Sequence, residues 1–323
     1  MRCTTWLASL ALIVLSVSAA SAEGASVRLV VRSNKPAIAP FEPVIVTYAV
    51  ENVSKELQDV PALTDIALGW VKIEISDETG TFRPYRSGVQ GIAMLKFVAL
   101  KPRERLSDQV IVLTNAYGRA ARSNPTEFGD VPVFPFGTPG HYKVRVTFPL
   151  EPRSASNSRR QLVEVIPITV KQSRGASEDL KRFANVDDLA AAVGADANDI
   201  DLTEAVPRWD RIVQSAPNSV FAPFVEFNLG RSYQNGIGTA SPDDGRAAAH
   251  FWAVVTGGPP ELADDALIGF AEAQIELGNY KEATNALDRV LSEYGAENMA
   301  RRATRLRDGL ASGKRSLNDI QSE

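Results

Sequence analysis

The residues able to do chemistry are few, and their spacing does not favour it. The chain of 323 residues holds two histidines, His141 and His250, and one cysteine, Cys3. Nucleophilic or general-base catalysis needs a histidine at a defined distance from a serine, cysteine or carboxylate, and neither histidine has one at a recognisable motif spacing. No G-x-S-x-G, H-E-x-x-H or paired-cysteine pattern occurs. Gly236, Gly238 and Gly245 make no phosphate loop, because no lysine followed by serine or threonine stands at the required spacing and no strand precedes them. Asp243-Asp244 and Asp264-Asp265 are adjacent pairs, not the alternating D-x-D that wraps calcium. At helix starts they would complement the helix dipole. Catalytic residues, a cofactor site and a metal site are therefore each expected to be absent. One charged set remains. Arg301, Arg302, Arg305 and Arg307 lie on a helix whose apolar stripe is Met299, Ala303, Leu306 and Leu310. They read either as a solvated face or as a contact for an anionic partner.

The elements that would carry these residues show in a repeat. Ala205, Trp209, Ile212 and Pro217 share their spacing with Ala247, Phe251, Val254 and Pro259, and again with Ala283, Leu287, Val290 and Gly295. Helical offsets recurring at a period of about forty residues predict stacked helical hairpins, a surface for holding another chain. Helices are expected at 187–193, 203–215 with Thr203 as cap, 220–234, 241–255, 261–277, 280–294 and 297–310. Gly236-Ile237-Gly238, Gly257 to Pro260 and Gly278-Asn279 supply the stops.

Here a family resemblance becomes nameable. Leu267, Phe270 and Ala271, then Leu277-Gly278-Asn279-Tyr280, then Ala283, Leu287 and Val290 resemble a tetratricopeptide repeat. Leu229, Gly230 and Tyr233 with Ala247, Phe251 and Val254 resemble another, and Gly236-Ile237-Gly238 with Asp244 is similar to the Sel1-like variant. The resemblance implies close helix packing at Ala271 and Ala283 and a concave face formed by the first helix of each pair. Glu226, Asn228, Arg231, Gln234, Glu272 and Gln274 are the polar residues that such a face would present to a protein or peptide partner, with Arg301 and Arg302 beyond them. Gln274 departs from the family's usual aromatic, and Gly295 from its usual proline. Met299, Ala303 and Leu306 match a first helix without a second, which would serve as a cap.

Before this array the apolar period is two. Val27, Leu29 and Val31; Val44, Val46, Tyr48 and Val50; Val71, Ile73 and Ile75; and Tyr142, Val144, Val146 and Phe148 each line one face of a strand. Further strands are expected within 94–100, 105–113 and 161–170, with Pro167 marking a bulge or an edge. Asp77-Glu78-Thr79-Gly80 reads as a hairpin turn. About eight short strands predict an Ig-like antiparallel β-sandwich. Gly140 to Val144 resembles the "G-x-Y-x-V" start of a late strand in such domains, in which the tyrosine anchors a corner. The segment Pro40 to Val46 resembles the opening of small bacterial sandwich domains, including the intracellular proteinase-inhibitor type. No inhibitory activity is carried across on it. Asn115 to Pro139 is expected to be a long irregular loop whose phenylalanines, Phe128, Phe134 and Phe136, either plug one end of the sandwich or form an exposed aromatic contact patch.

With 44% hydrophobic and 23% charged residues the chain is ordinary globular material, and its net charge of −4 argues against a nucleic-acid partner. Residues 1–22 read as an export signal, with Arg2, the apolar run Leu7 to Val17 and the small-x-small Ala20-Ser21-Ala22, cut near Ala22/Glu23. Cys3 precedes the apolar run, so no lipoprotein anchor is expected. The expected order is a signal peptide (1–22), an Ig-like β-sandwich (25–172), a linker (173–177), a tetratricopeptide-like α-helical array (178–312) and a polar tail (313–323). The expected function is a soluble, exported, periplasmic or secreted, non-enzymatic interaction protein. Two alternatives stand beside it. One is a hydrolase or peptidase-inhibitor-like activity in the sandwich and its 115–139 loop. The other is carbohydrate binding by the sandwich, for which Trp70, Tyr85 and Tyr117 would have to stand exposed.

Overall fold

The computed structural model describes residues 26–61, 71–77, 79–86, 97–122, 131–150, 161–172, 175–194, 200–294 and 298–321. The export signal, Trp70, Phe128, the 151–160 segment and Gly295 lie outside these residues. The fold is mixed, β first and then α. Its strands are β1 (Val27–Ser33), β2 (Ala37–Ile38), β3 (Val44–Asn52), β4 (Gln58–Pro61), β5 (Lys72–Ser76), β6 (Phe82–Tyr85), β7 (Phe97–Leu100), β8 (Arg105–Val112), β9 (Gly140–Pro149) and β10 (Gln161–Val170). They form a sheet of order β1-β3-β8, a second of order β2-β10-β9-β5-β6, and the pair β4-β7. All pairings are antiparallel except β2 with β10.

The period-two residues meet in one core. Val44, Val46, Tyr48 and Val50 of β3 share it with Ile73, Val144, Val146 and Phe148 of the second sheet. Tyr142 donates its hydroxyl proton to the Thr138 carbonyl at 2.9 Å and so fixes the start of β9, the corner role its motif implies. Pro167 sits in an unbroken register with β9, so it marks an edge and not a bulge. Beyond residues 169–170 of β10, no described strand pairs with its other side.

The 115–139 stretch departs from the expected irregular loop. It contains α1 (Ala116–Ala121), capped by Asn115, which accepts from the Tyr117 N–H. Gly118 is required there, because a Cβ would stand 2.5 Å from the Pro132 carbonyl oxygen. Of its described phenylalanines, Phe136 is buried in the β core, and Phe134 meets Phe41 edge-on at 5.1 Å.

Helices follow as α2 (Gly175–Leu180), α3 (Val186–Ala192), α4 (Leu202–Ser215), α5 (Ala222–Asn235), α6 (Asp244–Gly257), α7 (Ala263–Glu276, after a 3-10 turn at Pro260–Leu262), α8 (Tyr280–Glu293), α9 (Asn298–Ala311) and α10 (Leu317–Gln321). Helix α2 begins inside the expected linker. Helix α10 lies inside the expected polar tail and buries Ile320 against Gly309, so this part of the tail belongs to the fold. The cap of α4 is Asp201, not Thr203; its carboxylate accepts from the Thr203 N–H at 2.9 Å and from the Thr203 hydroxyl. A carboxylate outcompetes a hydroxyl for the orphan N–H groups of a first turn.

The two halves share material. Strand β3 is covered on both faces: its even-numbered residues enter the β core, while Ile45 joins Leu113, Phe183, Leu189 and Trp209 in the helical core. A cut between residues 172 and 178 would strip that cluster of its β-side members, Ile45 and Leu113.

Candidate interaction surface

Helices α4 to α9 are each 14 residues long, and each packs on the next. The repeat alanines Ala205, Ala247 and Ala283 are fully buried on α4, α6 and α8, with Trp209, Phe251 and Leu287 a turn further on. Small residues let the helices approach. A Cβ on Gly230 of α5 would meet the Phe251 ring at 2.8 Å, and one on Gly269 of α7 would meet it at 2.5 Å. Phe251 is thus held between two neighbouring helices.

That packing brings three of the expected partner-binding residues together. Glu272 of α7 accepts from Gln234 of α5 at 3.2 Å and from Arg302 of α9 at 2.7 Å, so one network crosses three helices. Glu272 is only 3% exposed, which makes it a tie between helices and not a contact for a partner. Two others are also engaged internally. Asn228 donates to the Ala191 carbonyl at 2.7 Å, and Glu226 meets His250 Nδ1 at 2.5 Å. Gln274 is half-buried and accepts from Asn279, and Arg231 is exposed. Arg301 reaches across to Glu104 at 2.6 Å, and Arg307 to Asp288 at 3.2 Å, so these two arginines already face carboxylates within the chain.

Burial raises the Glu272 carboxyl above the usual glutamic acid value, against the opposing pull of Arg302 and Gln234. The folded state therefore holds this proton to higher pH than the unfolded chain does. Folding takes up a proton between the two values, so stability should fall as pH rises through that window and level off above it. Glu272→Gln should flatten the thermal-midpoint profile just above the usual glutamate range, while Arg302 keeps an acceptor. An unchanged slope would place the titrating group elsewhere.

Sequence spacing did not reveal the surroundings of His250. Glu226 lies on α5 and Asp210 on α4, and Asp210 stands 3.8 Å from His250 Nε2. Tyr233 stacks on the imidazole with centroids 5.3 Å apart, and Arg246 covers the other ring while pairing with Asp210. Burial, then the nearby Asp210 charge, raises the Tyr233 phenol. Glu226 and Asp210 sit 24 and 40 residues from His250, so no local motif could mark them. Their partners tie α4, α5 and α6 together. Trp252, to which the sequence assigns no contact role, is 45% exposed and leans on Phe270 at 5.0 Å. It lies one position off the buried stripe of Phe251 and Val254, and that offset was its available signal.

The sugar-binding alternative required Tyr85 to be exposed, and it is not. Tyr85 is 3% exposed, its hydroxyl donates to the Ile111 carbonyl at 2.9 Å, and burial raises its phenol. Trp70 lies outside the described residues. Near the 115–139 segment a cavity of about 280 Å³ is lined by Asp77, Arg83, Asn115, Phe134 and Tyr142, among others. Among the described residues, no group of three His, Cys, Asp or Glu side chains is placed to hold a metal ion, and no helix is long and apolar enough to cross a membrane.

No protein-family model and no curated protein matches the chain. Among solved structures, a β-glucosidase from Listeria innocua in complex with glucose is 16% identical, with a TM-score of 0.23 over 45% of this chain and 16% of that one. Spo0M, a sporulation control protein from Bacillus subtilis, is 11% identical at TM-score 0.26, over 49% of this chain and 54% of that one. The α-2-macroglobulin of E. coli is 11% identical at TM-score 0.23, over 89% of this chain and 22% of that one. The chain thus spans about a sixth of the glucosidase and about half of Spo0M. Likenesses this slight assign neither family nor activity.

Proposed function

We propose that this protein is an exported, non-enzymatic interaction protein, an Ig-like β-sandwich joined to a tetratricopeptide-like array that captures a polypeptide partner on its helices. The observation that carries the reading is the run of six helices of equal length, α4 to α9, stacked in chain order. Equal helices stacked this way build a continuous surface whose use in general is recognition. The residues expected to meet the partner are Arg231, Gln234 and Gln274 on α5 and α7, and the exposed Trp252 on α6; Glu272 and Arg302 tie α7 to α9. The 1–22 segment, with its charged end, apolar run and small-residue cut site, supports export.

The test uses the whole chain as bait in the exporting cell. Arg231→Ala/Gln274→Ala should reduce recovery of the partner about tenfold or more without lowering the melting temperature. Full recovery would remove the helical surface from consideration. Loss of recovery together with a lower melting temperature would make these residues structural.

A further inference from the structure

The contact between the halves changes character along its length. Strands β3 and β8 turn their odd-numbered residues toward the helices, in the matched pairs Ile45 with Ile111, Thr47 with Gln109 and Ala49 with Ser107. At the first pair the contact is apolar: Ile45 and Leu113 are buried with Phe183 and Leu189, and Ile111 and Phe134 pack on the same cluster. Helix α1 is tied to α3 near that end through Arg119 and Asp187, 3.8 Å apart. The chain also crosses from β10 to α2 shortly before Phe183.

At the following pairs the contact becomes polar and incompletely filled. A cavity of about 260 Å³ separates Thr47, Ser107, Asp108 and Gln109 on the sheet from Asp264 and Asp265, among others, on the helices. Among the contacts between sheet and helices on this side are Gln109 to Asp265 at 3.2 Å and Glu104 to Arg301 at 2.6 Å. Glu104 is 30% exposed and Arg301 58% exposed, so this ion pair is solvated and weak. Apolar packing at one end, and a cavity beside a solvated ion pair at the other, is the construction of a hinge and a latch.

We propose that the two halves form a clamp, hinged at Ile45, Ile111 and Leu113 and latched by Glu104–Arg301 and Gln109–Asp265, which opens at the latch to expose the cleft between sheet and helices. The opening does not depend on the function proposed above. The driving asymmetry is physical. Separating the apolar end exposes buried side chains at about 25 cal/mol per Å², whereas parting Glu104 from Arg301 exchanges an already solvated pair for water.

The opening can be read without any partner. Cys3 is the only native thiol, so with Cys3→Ser a Thr47→Cys probe reports access to the cleft. Its labelling rate should rise about three- to fivefold in Arg301→Glu, where attraction to Glu104 becomes repulsion, and return to the starting rate in the Glu104→Arg/Arg301→Glu exchange. An Ile45→Cys probe in the same backgrounds should stay slow, and the melting temperature should hold. Equal Thr47→Cys rates in all three backgrounds would overturn the latch. So would failure of the exchange to restore the rate. Parallel acceleration at Ile45→Cys, or a lower melting temperature, would show global unfolding and overturn the hinge. Partner recovery is measured separately, so loss of either proposal leaves the other to be judged alone.

Discussion

Gly269→Ala is expected to destabilise the protein by about 2 kcal/mol, although alanine is the better helix former. In a solvent-facing helix the change would contribute about 1 kcal/mol of stability. Here the new Cβ would lie 2.5 Å from Phe251 Cζ and 2.7 Å from both Cε atoms, closer than carbon atoms pack. The ring has nowhere to go, because Gly230 approaches it to within 2.8 Å of a Cβ position. Phe227 also meets it edge-on at 5.8 Å. The helices must therefore part or the ring must leave its rotamer, and the steric cost exceeds the propensity gain. In a Phe251→Leu background the same glycine change should cost little, since the ring atoms it meets are gone. Urea denaturation of the four proteins in this cycle measures the coupling. A stabilised Gly269→Ala would mean that the two glycines do not set the helix spacing.

Asp188→Ala should cost about 3–5 kcal/mol, which makes it the most damaging single change outside the β core. Asp188 is 1% exposed and accepts three hydrogen bonds: from the Trp209 indole N–H at 2.7 Å, from Arg208 at 2.5 Å and from the Ala184 backbone at 2.8 Å. Trp209 is itself buried, so removing the acceptor strands its N–H, and Arg208 loses the charge that offsets its partial burial. Asp188→Asn should cost roughly half as much, because one side-chain oxygen remains to accept. A thermal midpoint for Asp188→Ala equal to that of the parent would show that α3 is not needed to hold α4.

Where local pattern decides structure, the sequence was readable. The Ala-x3-apolar-x2-apolar spacing returned α4, α6 and α8 with their buried faces, and the alternation in Tyr142 to Phe148 returned β9. What escaped depends on contacts between distant residues. Nothing near Ile45 says that a helical core will cover the outer face of its strand. Short elements such as α1 and α10 owe their existence to what they bury, the Gly118–Pro132 approach and Ile320 on Gly309, and propensity alone cannot nucleate them. Among the candidate site residues, the placement of Gln234, Glu272 and Arg302 on neighbouring helices followed from the repeat. Their mutual bonding did not, and it turns part of the expected contact face into an internal brace. The carboxylates around His250 come from two other helices, beyond the reach of any motif spacing.

The central claim is that the helices, and not the sheets, receive a polypeptide. Photocrosslinking tests it directly, with a photoreactive residue placed in the full-length protein at Arg231, Gln274 or Trp252, or at Val163 on the exposed face of β10. The account predicts that all three helical positions crosslink to the same polypeptide in the exporting cell and that Val163 does not. Crosslinks from Val163 alone, or from none of the helical positions, would contradict it.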